Sequence, residues 1–411
     1  MKKQIRILLC GLLFAGILGS SCIADEPPTG QVATEYMSEG MYEDFSDPDA
    51  TQTSASVTSV TVGAKAAVLM ERASGKVLFE KNPDEQRSPA SITKIMTLLL
   101  VMEGIENGKI ALTDRVVASA HACSMGGSQI WLEEGETMTV DHLIKAVCVA
   151  SANDAAVALG EHVAGSDEGF VAQMNARAKE LGMKNTHFVN CCGLDAENHY
   201  TSARDVAIMS RELIAHPLIT QYSTIWMDTL REGQTQLVNT NKLVRFYEGA
   251  TGLKTGTTDE AGYCVSATAQ KNGMDLIAVV LGGETGDKRF ADSKQLLNFG
   301  FANWSVVSVD QQAPTLPPLS VNGGVKQQVE LTLPPAGPFL VEKGTSQTLT
   351  HQITLPDHLS APITAGQIVG KIAYYDKDTL VGEGQILAKE SISAMTFGRA
   401  LWMVLEQLIK I

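Results

Sequence analysis

The sequence predicts an α+β protein: an antiparallel sheet flanked by helices, then a small all-β domain and a C-terminal amphipathic helix. Three observations carry this expectation. Apolar runs on either side of Ser74-Gly75 in "KAAVLMERASGKVLFEKN" signal a β-hairpin early in the chain. Helical periodicity fills the middle, over 88–104, 140–149, 153–163 and 202–214. Strand grammar then returns in "YCVSATAQKNGMDLIAVVLGG", where Asn272-Gly273 sits as a tight turn between two apolar runs, and a short helix over 293–299 closes the unit. Strands at both ends with helices between them predict one sheet assembled from the first and last segments of a domain spanning 61–305.

The elements outside that domain follow in order. Residues 1–24, "MKKQIRILLCGLLFAGILGSSCIA", place Lys2, Lys3 and Arg6 ahead of an apolar run that ends in small residues, the pattern of a secretory signal cleaved after Ala24. The competing readings are a retained membrane anchor, for which the apolar core is short, and a lipid on Cys22, for which Gly19 stands where Leu is usual. Either way the mature chain is expected to be exported, to the cell wall or the outer face of the cytoplasmic membrane. Residues 25–60 are acidic, rich in Ser and Thr, and without Lys or Arg, which predicts a flexible tether.

After the proline-rich "DQQAPTLPPLS", alternating segments such as "GQIVGKIAYYDKDTLVGEGQILA" predict an all-β domain over 306–392. Over 393–411 a helix would carry Phe397, Leu401, Val404, Leu405, Leu408 and Ile411 on one face and Arg399, Glu406 and Lys410 on the other. Such a face either docks on its own domain or lies in a membrane interface with Trp402 near the headgroups. The terminal position favours the membrane surface.

Composition narrows the function. The 411 residues allow two or three domains, and 44% hydrophobic content supplies a core. A net charge of −14 argues against nucleic acid, because phosphate binding needs a basic face. The five cysteines beyond the leader (Cys123, Cys148, Cys191, Cys192 and Cys264) are too irregularly spaced for a disulfide framework, and the adjacent pair reads as two small buried residues. Neither Cys-x-x-Cys nor His-Glu-x-x-His occurs, so no metal and no cofactor is expected.

Three short segments carry chemistry. In "SPASITKIMTLLL", Ser88 and Pro89 are suited to opening a helix, which puts Ser91 in its first turn and Lys94 one turn later on the same face. An amine held among apolar residues has a lowered pKa and could take the serine proton. By itself the pair could equally be a surface lysine beside a helical serine. In "CVASANDAAVALGEH", Ser151 could pass a proton and Asn153 could hold a substrate carbonyl, or both could cap a helix. In "GLKTGTTDEAGYC", Lys254 offers a cation for a carboxylate, and Gly256 clears the strand edge for a ligand.

Taken together, Ser-x-x-Lys, Ser-x-Asn and Lys-Thr-Gly in that order form the signature of the penicillin-binding and serine β-lactamase superfamily. With "GGSQIWLEEGE", "FVNCCGLDAENHYTSARD", "NTNKL" and "LLNFGF", the chain resembles low-molecular-mass D-alanyl-D-alanine carboxypeptidases, especially those of spore-forming bacteria. The resemblance is dense over 65–304 and looser through the β domain.

It implies a penicillin-binding protein/β-lactamase-like transpeptidase fold that removes the terminal D-alanine from peptidoglycan stem peptides and is inhibited covalently by β-lactam antibiotics. Ser91 would be the acylated nucleophile, Lys94 its base and Ser151 the relay to the leaving D-alanine. Asn153 would bind the peptide and orient Lys94. Lys254, Thr255 and Arg289 would hold the terminal carboxylate, and the backbone N–H groups of Ser91 and Thr257 would receive the oxyanion. Some relatives carry His where this chain has Thr257. Two alternatives stand beside this: a serine β-lactamase, which would need a further carboxylate such as Asp195 or Glu197, and a non-catalytic peptidoglycan-binding or regulatory protein of the same fold.

Overall fold

The computed structural model describes residues 59–308, 314–335, 337–344 and 349–409. The expected leader, nearly all of the expected tether, and Lys410 and Ile411 lie outside them. The main sheet has five antiparallel strands in the order Val77–Lys81, Ala66–Glu71, Met274–Gly283, Gly262–Lys271 and Ala250–Thr258. The early hairpin therefore closes on the late one, Ala66 opposite Leu281.

Both faces of this sheet are covered. On one lies the helix Ala203–Leu213, and against it packs Lys94–Glu106, buried all round through Ile95, Met96, Leu98, Leu99 and Val101, as expected of an element that is apolar on every side. On the other lies Gly286–Asn303, whose Leu296 and Leu297 pack on Leu69, Val265 and Leu276. Each such fully buried Leu or Val contributes about 1.5–3 kcal/mol relative to exposure. Covering on both sides is why Met274–Gly283 reads as a continuous apolar run, buried at nearly every position, where an alternating strand is expected.

Helices Val140–Val149, Asn153–Ala164 and Ala203–Leu213 stand where periodicity places them, the last capped by Ser202, whose side chain accepts from Asp205 N–H. Two expectations need correction. The helix placed at 293–299 is only part of Gly286–Asn303, which begins at a Thr285 cap and so brings Arg289 into its first turns. A helix over Asp167–Glu180 has no counterpart in the sequence reading, because only Phe170, Met174 and Ala178 of it are buried and its apolar signal is correspondingly thin.

Beyond the helix Gly286–Asn303, strand Trp304–Val307 runs on without a break and pairs with Phe339–Glu342. Its alternating side chains serve two cores. Trp304, Val306 and Leu340 pack with the sheet's second core, while Val307 and Val341 join the β-domain core around Val329, Ile372, Ile386 and Ile392. The C-terminal helix Phe397–Ile409 leaves Phe397 85% and Trp402 66% exposed, with Leu401 and Leu405 also exposed. Among the described residues no helix is long and apolar enough to cross a membrane.

Candidate active site

Ser91 does not sit in an α-helix. Pro89 opens a 3-10 turn, Ala90–Thr93, with Ala90 at φ 47°, and the α-helix starts at Lys94. Ser88 is not the cap: its hydroxyl donates to Asp195 Oδ1 at 2.8 Å. The spacing argument survives because a 3-10 turn brings residues three apart into register. Lys94 Nζ lies 2.9 Å from Ser91 Oγ, 2.5 Å from Asn153 Oδ1 and 2.6 Å from the Cys192 carbonyl.

The Lys94 side chain is fully enclosed, and burial lowers its pKa to about 8. Cys192, Cys191 and Asp154 are the groups that would oppose the shift. Burial also raises both thiols, which therefore stay neutral. At pH 7 roughly one amine in ten is then unprotonated, enough to serve as a base.

The second segment turns between two helices. Ser151 takes φ 62°, and Asn153 begins the next helix. The Asn153 amide is spanned: Oδ1 receives Lys94, Nδ2 donates to the Gly126 carbonyl at 2.6 Å, and its backbone N–H donates to the Ser128 carbonyl at 2.7 Å. It thus ties the "GGSQIW" loop to the base.

The third segment is the sheet edge Ala250–Thr258. Lys254, 1% exposed, donates to Ser151 Oγ at 2.8 Å and to the Thr255 carbonyl at 2.9 Å. Burial first, and then the charge of Lys94, hold its pKa well below the usual lysine range. Gly256 is needed for a closer reason than ligand clearance: a Cβ there would stand 2.9 Å from Ser91 N and 3.0 Å from Ile92 N. Strand and nucleophile turn touch through backbone. Arg289 Nη1 donates to the Gly256 carbonyl at 3.1 Å and to Thr257 Oγ1 at 2.9 Å, with its guanidinium 5.5 Å from the Tyr263 ring centroid. All nine expected residues, Ser91, Lys94, Ser151, Asn153, Lys254, Thr255, Gly256, Thr257 and Arg289, are joined in this one network.

Other residues complete it. Asp154 is fully buried and accepts from the backbone N–H groups of Ile130, Leu132 and Ala155, fixing the loop that Asn153 grips. Thr240, in "NTNKL", accepts from the Thr255 hydroxyl at 2.7 Å while its N–H donates to the Val149 carbonyl, linking the second and third segments. Asn190 Oδ1 accepts from Gly193 N–H at 2.6 Å and shapes the loop that delivers the Cys192 carbonyl. Asp195 is engaged at the rim by Ser88 and Thr258, each at 2.8 Å, and Glu197 is exposed. The arrangement can deprotonate a serine hydroxyl, donate a proton from a second serine, and hold an anion at a strand edge.

A family model described as D-alanyl-D-alanine carboxypeptidase matches residues 51–285, and one described as the C-terminal domain of penicillin-binding protein 5 matches 305–394. The D-alanyl-D-alanine carboxypeptidase DacF of Bacillus subtilis is 44% identical over 338 residues, 81% of this chain and 87% of the relative. The crystal structure of penicillin-binding protein 5 from Haemophilus influenzae superposes with a TM-score of 0.72 at 32% identity, covering 82% of this chain and 99% of that one. Penicillin-binding protein D2 of Listeria monocytogenes in its ampicillin-bound form gives 0.55 at 34% identity, over 59% of this chain and 99% of its own. With those matches and that geometry, this chain belongs to the D-alanyl-D-alanine carboxypeptidase family, with the penicillin-binding protein fold.

Proposed function

We propose that this protein removes the terminal D-alanine of peptidoglycan stem pentapeptides through an acyl-enzyme on Ser91. The observation that carries the reading is a dehydrated amine, Lys94, 2.9 Å from the Ser91 hydroxyl and braced by two neutral oxygens. Neutral Lys94 takes the Ser91 proton as Oγ bonds to the carbonyl carbon of the penultimate residue. The oxygen of that carbonyl becomes an anion between the N–H groups of Ser91 and Thr257.

Collapse breaks the peptide bond, and Ser151, which accepts from Lys254 and keeps its own O–H to give, protonates the departing amine while the proton Lys94 took from Ser91 replaces the one Ser151 gave, leaving Lys94 neutral again. Water then attacks the Ser91 ester, the again neutral Lys94 takes its proton and returns it to Ser91 Oγ as the ester bond breaks, and the shortened peptide leaves with Ser91 restored. Lys254, the Thr255 hydroxyl and Arg289 form a cationic edge suited to a terminal carboxylate, which favours cleavage at a chain end.

A β-lactam would acylate the same serine. Its ester should be released slowly: Asp195 is tied to two hydroxyls, and Asp154 is committed to backbone amides, so neither is placed as a dedicated base. The exposed row Phe397, Leu401, Trp402 and Leu405 supports a helix lying on the outer face of the cytoplasmic membrane, and the N-terminal sequence supports export.

Brief exposure to benzylpenicillin should add one antibiotic mass to the peptide containing Ser91, and the enzyme should release D-alanine from a pentapeptide. A Ser91→Ala variant should do neither. Attachment elsewhere, or undiminished release by the variant, overturns the mechanism. Deleting residues from Thr396 onward should free the protein from lipid vesicles with turnover of a soluble peptide unchanged.

A further inference from the structure

The loop carrying "NHYTS" places a buried histidine behind the nucleophile turn. His199 is 4% exposed, and its ring hydrogen bonds run to Thr93 and Val189. Val189 N–H donates to its Nδ1 at 2.8 Å, so in the neutral ring the proton is on Nε2. That N–H faces Thr93 Oγ1 at 2.8 Å, and the Thr93 hydroxyl donates onward to the Ala90 carbonyl at 2.9 Å.

The Ala90 carbonyl and the Ser91 N–H belong to one planar trans peptide, so holding the oxygen sets the direction of the hydrogen. The peptide needs holding. Ala90 is a non-glycine residue at φ 47°, a strained conformation that persists only where its surroundings over-determine it. Gly193 packs so closely that a Cβ would stand 1.9 Å from the same Ala90 oxygen.

We propose that His199 is a positioning residue for acyl transfer, acting through Thr93 to fix the Ala90–Ser91 peptide and aim the Ser91 N–H at the developing oxyanion. The inference rests on the reading of Ser91 as nucleophile. The chain of donors also polarises that peptide, which strengthens its N–H as a donor. Burial, and then the neighbouring His187, push the imidazole down to about 4, with Asp195 opposing, so the ring keeps the one-donor, one-acceptor form the chain requires. Phe188, with its ring centroid 6.0 Å away, packs beside it.

The test separates aiming from mere support. Thr93→Val keeps the shape and removes the hydroxyl; it should slow acylation by benzylpenicillin about 10- to 100-fold. It should weaken a peptide boronic acid, whose oxygen occupies the oxyanion position once boron bonds Ser91, by the same factor. Non-covalent binding of a D-Ala-D-Ala peptide, measured in a Ser91→Ala background, should not change. Thr93→Ser should stay within about twofold of the parent in all three. His199→Phe should show the same split, with its folding checked by thermal unfolding.

Acylation of Thr93→Val at the parent rate, or equal losses in boronate and non-covalent peptide binding, overturns the proposal. If the parent protein is itself not acylated at Ser91, the broader mechanism fails first and this inference falls with it.

Discussion

The site contains two Ser–Lys pairs of nearly equal length, Lys94 with Ser91 at 2.9 Å and Lys254 with Ser151 at 2.8 Å, and their surroundings give them different work. Lys94 points three protons at three neutral oxygens and has no carboxylate among its hydrogen-bond partners. Its pKa falls to about 8, where it titrates within the working range. Lys254 lies on the sheet edge with Lys94 and Arg289 as cationic neighbours, and is depressed by burial and by that repulsion. An incoming carboxylate would offset that repulsion and favour the charged amine. One lysine is set to exchange a proton with its serine, and the other to meet an anion.

Removing the base should have the largest effect. Lys94→Met should lower the acylation rate by about 10⁴-fold in a benzylpenicillin mass assay. Loss of only a few fold would mean that Lys254 or water can substitute, and the two pairs would not be distinct. Next comes the contact that holds the pairs together. Gly256→Ala puts a methyl 2.9 Å from Ser91 N, and the resulting displacement should cost on the order of 10²-fold in acylation with the fold intact by circular dichroism.

A third measurement sharpens the assignment of the base. Because the neutral amine is the active form and the folded pKa is lowered to about 8, the acylation rate should rise with pH and level off above about 8. A rate that falls as pH rises from 6 to 8 would contradict a neutral Lys94. The smallest signal belongs to Lys254. Binding of a carboxylate-terminated peptide to the Ser91→Ala variant should take up a fraction of a proton, seen as a dependence of binding heat on buffer ionisation enthalpy. The carboxamide-terminated peptide should show none, and equal uptake by both would remove the carboxylate from Lys254.

Much of this was legible in the sequence, to different depths. Ser91 and Lys94 are three apart, and their proximity follows from local backbone geometry whether the turn is α or 3-10. The Asn272-Gly273 hairpin and the Ala203–Leu213 helix with its Ser202 cap are likewise local and lie where periodicity puts them. The supporting residues are a different case. Asp154 looks like an ordinary acid in a helix, and its partners at Ile130 and Leu132 lie in a separate loop. His199 and Thr93 are far apart along the chain and meet only across the packed interior. Gly256 was recognisable as a position that forbids a side chain, but what stands in the way is the Ser91 backbone, visible only once the strand edge and the nucleophile turn are in contact.

The sequence alone determined the secondary periodicity and the order of the three motif segments, and through the family resemblance it named the candidate groups for chemistry, because each motif is encoded within a turn or two of chain. Only the tertiary structure decided that Lys94 is stripped of water and set near pH 8, that Lys254 faces Ser151, and that the Ala90–Ser91 peptide is gripped from behind. Those properties depend on dielectric, distance and orientation. Each is a sum over neighbours contributed by remote parts of the chain, and no single stretch of sequence contains the sum.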